Sequence, residues 1–75
     1  MKYEEIIAIK YKRSSSYGYI VGHGTPYEII LHPLYAAGAK RIRNNYYATV
    51  NGKRIGTGSL RDVKAHVGLY LLTKK

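Results

Sequence analysis

The chain of 75 residues has no cysteine, no phenylalanine and no tryptophan, and it carries only four acidic side chains. Without cysteine there are no disulfides, no thiolate metal sites and no thiol nucleophile. A chain this short must then rely on an efficient apolar core or on a partner chain. At this size only about 60% of the unfolded surface is removed from water on folding, so residues 1–75 are read as a single domain. No apolar run approaches the ~20 residues of a membrane span. The stretch MKYEEIIAIK has neither the charge pattern nor the apolar length of a signal or transit peptide. The expectation is a soluble, cytoplasmic protein with no membrane partner.

What is present is tyrosine and positive charge. Hydrophobic residues make up 45% of the chain, too many for a disordered polymer, and nine of them are tyrosines. Tyrosine buries a ring while keeping a hydroxyl near water, so it serves a strand face or a contact surface equally well. Thirteen Lys and Arg against four acids give a net charge of +9. The acids are Glu4, Glu5, Glu28 and Asp62, and none lies between Ile29 and Arg61. A long acid-free basic stretch suits a polyanion, because each phosphate contact releases condensed counterions. Solubility alone is served by fewer charges of mixed sign.

The patterning predicts an α+β fold: a small antiparallel sheet packed against a C-terminal helix. Residues 4–12, 17–22 and 27–31 read as three N-terminal strands by their alternation. Residues 33–43 are expected to form a short helix, with Pro33 at N1, Lys40, Arg41 and Arg43 in the last turn, and Asn44 in a left-handed cap. The alternative is a strand from Ala39 to Arg43 turning through Asn44-Asn45. In that register Arg41 and Arg43 share a face with Val50 and Ile55, which argues against it. Residues 46–57 form a hairpin about Asn51-Gly52, the type I′ pair, with Tyr46, Ala48, Val50 and Ile55 inward and Tyr47, Thr49 and Arg54 outward. Ser59, with Asp62 three residues on, caps a helix over 59–72. Its stripe is Leu60, Val63, Val67, Tyr70 and Leu71. Gly68 implies close approach of a strand or a second helix. Leu69 and Leu72 are expected to pack under the N-terminal strands, the alternative being a homodimer contact.

No catalytic or metal signature is present. His23, His32 and His66 lack a second ligand at i+3 or i+4, and GHGT and GTGS match no phosphate-binding fingerprint. The chain is read as a non-enzyme without metal or cofactor; a small nuclease using His23 or His32 beside Glu28 is the minor alternative. Basic residues carry more information. Lys53 and Arg54 fall at the hairpin tip, and Arg61 and Lys64 on the first turns of the last helix.

Residues 46–72, YYATVNGKRIGTGSLRDVKAHVGLYLL, resemble the arm-type DNA-binding domain of tyrosine integrases at Tyr46, Val50, Gly52, Lys53, Arg54 and Ile55. That resemblance implies a sheet face in the major groove and nominates Tyr47, Thr49, Lys53 and Arg54. The sequence departs from the family in lacking an acidic helix start and in having residues 1–32 ahead of the hairpin. Gly56, Gly58, Ser59, Arg61, Val63, Lys64, Val67 and Gly68 are also similar to the C-terminal half of a double-stranded-RNA-binding domain, whose helix grips phosphates. That family's N-terminal helix has no counterpart here.

The expected function is binding of nucleic acid, DNA or RNA, through phosphates held by Lys40, Arg41, Arg43, Lys53, Arg54, Arg61 and Lys64, with Tyr47 stacking or hydrogen-bonding. The alternative is a small phage-type inhibitor or adaptor that docks on an acidic surface of a protein partner, where Tyr and Arg are favoured.

Overall fold

A computed structural model of the chain describes residues 1–14, 18–36 and 40–73. Its elements run α1 (Tyr3–Ile7), β1 (Lys10–Arg13), β2 (Ile20–His23), β3 (Ile29–Ala36), β4 (Lys40–Val50), β5 (Lys53–Gly58) and α2 (Leu60–Thr73). The strands form one antiparallel sheet in the order β1-β2-β3-β4-β5, so each strand pairs with its neighbours in sequence. The α+β class, the hairpin and the C-terminal helix are as the sequence implied.

Alternation on the central strands decides which face is covered. Ile29 and Leu31 of β3, Tyr46, Ala48 and Val50 of β4, and Ile20 of β2 are buried, and they pack with Val63, Val67 and Leu71 of α2. These residues, with Ile9, make one core on one side of the sheet. Ser59 caps α2: its hydroxyl accepts from Asp62 N–H at 3.3 Å, and Asp62 Oδ2 accepts from Ser59 N–H at 3.3 Å. Two helix-start donors are thereby satisfied, a contribution of about 1 kcal/mol.

Three expectations need correcting. The first predicted strand, 4–12, is a helix followed by a shorter strand. Glu5 accepts from Lys2 N–H at 2.9 Å, and Glu4 and Glu5 sit in the first turn, where the helix dipole favours acid. Ile6 of this helix is what approaches Gly68: a β-carbon there would lie 3.3 Å from Ile6 Cγ2. The α1–α2 contact therefore explains the mid-helix glycine. Leu69 and Leu72 do not pack under the strands but remain 61% and 46% exposed.

The third correction concerns 33–43. No helix forms; the described residues of this stretch belong to β3 and β4. Pro33 is tolerated because β2 pairs with β3 only as far as Leu31, leaving β3 an edge on that side. Asn44 has the positive φ expected of it, 51°, but inside a strand. Leu34 alone is opposed by residues 42–45 of β4, because pairing passes from Pro33↔Tyr46 to Tyr35↔Arg41. This irregularity resets the alternation and removes the conflict that had argued against a strand. A smaller irregularity on β5 slips the hairpin register, so Ala48 faces Gly56 in place of Ile55.

Candidate nucleic-acid interface

The alternation that sends Leu31, Ala48 and Val50 to the helix sends His32, Tyr47 and Thr49 to the opposite, uncovered face. There they form a row across the sheet. Tyr19, just before β2, meets His32 edge-on at 5.2 Å between ring centres, and His32 stacks on Tyr47 at 4.5 Å with 5° between planes. Arg54 of β5 completes the row, its guanidinium carbon 4.6 Å from the Tyr47 ring centre. These spacings follow the ~4.8 Å between neighbouring strands, with β3, β4 and β5 each contributing one member and Tyr19 standing just ahead of β2.

Two hydroxyls fix the row. Thr49 shares a 3.1 Å hydrogen bond with His32 Nε2, and Arg54 Nη2 donates to Thr57 Oγ1 at 2.9 Å. Partial burial among the rings lowers the His32 pKa below its usual value, so the imidazole is neutral near pH 7. Strand order puts His32 and Arg54 on opposite faces of Tyr47. Its ring is therefore sandwiched, and what the row presents outward is ring edges, a phenol and a cation. Tyr11 pairs with Gly22, so alternation turns its neighbours Lys10 and Lys12 toward this same face. The carboxylate that alternation brings nearest is Glu28, at the hairpin end, where its N–H donates to Asn51 Oδ1 at 2.8 Å.

The eight residues nominated from the sequence divide among three places. Tyr47 and Arg54 come together in the row. Lys53 pairs with Val50 and so belongs to the helix side, with Nζ 6.0 Å from the Tyr70 ring centre. Lys64 on α2 lies similarly over Tyr11 at 5.0 Å, and burial pushes the Tyr11 phenol pKa up. Both lysines thus brace α2 against the sheet. Arg61 is exposed on the first turn of α2, and Arg43 is exposed beside the β4 bulge. Lys40 and Arg41 stand opposite Ala36 and Tyr35 in β4; their side chains lie outside the described residues.

The hairpin tip, with Lys53 and Arg54, and the helix start, with Arg61 and Lys64, do not form one patch. Asn51-Gly52 and the start of α2 sit at opposite ends of β5, about 17 Å apart at strand rise. The helix start also has little left to offer an anion. Its N–H groups meet Ser59 and, at 3.4 Å from Leu60 N, Asn44 Oδ1. That last contact ties the bulge of β4 to α2, so Arg43 and Arg61 belong to the same end of the molecule.

Sequence reasoning missed Tyr19, His32, Thr57, Lys10 and Lys12. Alternation groups Tyr47 with Thr49 and Arg54; what it lacks is the register of β3 that sets His32 beside Tyr47. The histidines are dispersed: His23 ends β2, His32 is in the row, and His66 lies over Gly56. No protein family, curated protein or solved structure matches this chain.

Proposed function

We propose that this protein binds nucleic acid through its phosphates. The observation that carries the reading is the fate of the acid-free stretch 29–61: its described residues lie in three adjacent strands, β3, β4 and β5, and the start of α2. These bear Arg54 on the uncovered face and Lys40, Arg41 and Arg43 toward the far end of β4. Like charge gathered on one slab, without carboxylates between, costs stability by self-repulsion and is offset when a polyanion binds. Arg54 held by Tyr47 and Thr57 is preorganised, so little side-chain entropy is lost when it meets a phosphate oxygen. Fluorescence anisotropy with labelled DNA and RNA at about 50 mM salt tests this. Binding that weakens steeply with added salt is expected; no detectable binding at that salt removes the reading.

A second reading, a small adaptor docking on an acidic protein surface, is supported by the apolar side chains exposed on the helices: Tyr3, Ile7, Leu69 and Leu72. A partner captured from lysate and retained after complete nuclease digestion would favour it.

A further inference from the structure

Charge divides the molecule into a neutral helix side and a basic sheet. Across residues 1–9 and 59–73, which hold both helices, Lys2, Arg61 and Lys64 balance Glu4, Glu5 and Asp62. The sheet segment from Lys10 to Gly58 holds eight lysines and arginines against Glu28 alone.

The neutral side is also the apolar one. Tyr3 and Ile7, four residues apart on one face of α1, are 62% and 63% exposed. Ala65, Leu69 and Leu72 recur at i, i+4 and i+7, on the side of α2 opposite the buried Val63, Val67 and Leu71. Ile6 meets Gly68 where the helices touch, and that contact joins the α1 pair to the α2 row. Four of the six large apolar side chains exposed among the described residues therefore stand on these two helices.

We propose that this helix surface binds a second copy of the chain in a two-fold dimer. An isologous interface sets a patch against itself, so it needs apolar area and charges that balance. Here α1 carries Glu4 and Glu5 without a base, whereas α2 carries Arg61 and Lys64 against Asp62. Under a two-fold axis, α1 of one copy lies against α2 of the other with opposite signs. On the sheet side two such basic copies would repel. Joined through the helices, their uncovered faces, with Arg54, Lys10 and Lys12, point apart. An acidic protein would be drawn to the sheet in preference to a neutral surface. At about 200 Å² for a fully exposed large side chain, the exposed fractions leave roughly 450 Å² per copy. With a polar rim, two copies would bury on the order of 1,000 Å², the threshold of a specific, reversible interface.

Sedimentation equilibrium of the nuclease-treated full chain, from about 1 to 500 μM, reads the mass directly. A reversible monomer–dimer equilibrium is expected, half-associated at tens of micromolar in order of magnitude. It should persist or tighten at about 0.5 M salt, because apolar burial drives it and salt screens the repulsion. Leu69→Gln/Leu72→Gln should weaken it about tenfold or more, and Ile7→Gln, on the other helix, about threefold or more. Arg54→Gln, on the sheet, should leave it unchanged. Circular dichroism establishes that the variants fold, and Leu69→Gln alone serves if the pair does not. The mass of one chain throughout the range, a dimer indifferent to the helix variants, or a dimer weakened by Arg54→Gln overturns the proposal. So does association that disappears with nuclease or with salt, since the chains would then be held together by shared nucleic acid.

Discussion

A methyl group placed on Gly56 tests how α2 rests on the sheet. An ideal β-carbon there would lie 2.6 Å from Cγ and Cδ2 of His66 and 2.9 Å from its Cβ. Carbon atoms ordinarily meet at about 3.5–4.0 Å, so the overlap with the ring is roughly 1 Å. The ring can rotate away, but Cβ is fixed to the helix backbone and stays about 0.6 Å too close. Either α2 lifts or β5 sinks. The helix stands on Val63, Val67 and Leu71, all fully buried, and lifting loosens each of them. Overpacking costs about 1–3 kcal/mol, and a backbone shift puts Gly56→Ala in the upper half of that range. For a chain this short, total stability is only about 4–11 kcal/mol. Gly68→Ala is the internal comparison. Its β-carbon meets only the end of the Ile6 side chain, at 3.3 Å, on a five-residue helix that can yield. Alanine also gains about 1 kcal/mol of helix propensity, so the net change stays within about 1 kcal/mol of zero. Urea unfolding followed by circular dichroism reads both. In the double variant Gly56→Ala/His66→Ala the ring is gone but Cβ stays, so most of the loss should persist. Wild-type stability of Gly56→Ala, or equal losses at the two glycines, refutes the reasoning.

Other outcomes follow from single contacts. Leu71→Ala, in the core, should cost about 2–5 kcal/mol by thermal unfolding, whereas Leu72→Ala, one residue on but exposed, should cost under about 0.5 kcal/mol. Asn51 has φ 52° and accepts from Glu28 N–H at 2.8 Å; Asn51→Ala should cost about 2 kcal/mol and Asn51→Gly about half that, because glycine restores only the backbone freedom. Identical midpoints for these two variants would contradict that division. Since folding lowers the His32 pKa, the unfolded chain binds its proton more readily. This contribution to stability is intact above the ordinary histidine range and is lost as pH falls through the folded value. His32→Gln should flatten the unfolding midpoint between pH 7.5 and 5 relative to wild type. Arg54→Lys keeps the charge but loses the planar group over Tyr47, so it should weaken nucleic-acid binding with little change in salt slope. Arg54→Gln should lower the slope by about 1.

The fold was legible where local chemistry and burial agree. Asn51-Gly52, the Ser59–Asp62 cap and the Val63, Val67, Leu71 stripe each specify one geometry, and each is found. Residues 4–7 were misread because EEII alternates too little to separate strand from helix. The contact that decides, Ile6 on Gly68, spans the whole chain. Residues 33–43 were misread for a sharper reason. The helix signals were individually sound, and Asn44 does take a left-handed conformation. A bulge that opposes four residues to one breaks the period of 2 on which strand reading depends. The aromatic row was half legible, since alternation assigns faces within a strand but says nothing about which residue of the next strand stands alongside.

The same geometry limits what the positive charge can do. Thirteen cations suggest a large electrostatic footprint, but they are divided between the two sides of the sheet. Lys53 and Lys64 hold α2 to the sheet through Tyr70 and Tyr11, on the side away from Arg54. Among the described side chains, a duplex along the uncovered face would meet Arg54, Lys10 and Lys12, with Arg43 and Arg61 at the far end of the sheet. Five phosphate contacts give a slope of log affinity on log salt of about −4.5, hence roughly a 500-fold loss between 50 and 200 mM salt. Lys53→Gln and Lys64→Gln should then loosen α2, seen as a lower unfolding midpoint, while leaving that slope unchanged. A measured slope near −9, or one that falls when either lysine is replaced, would mean that the helix side also meets the polyanion and that this footprint is too small.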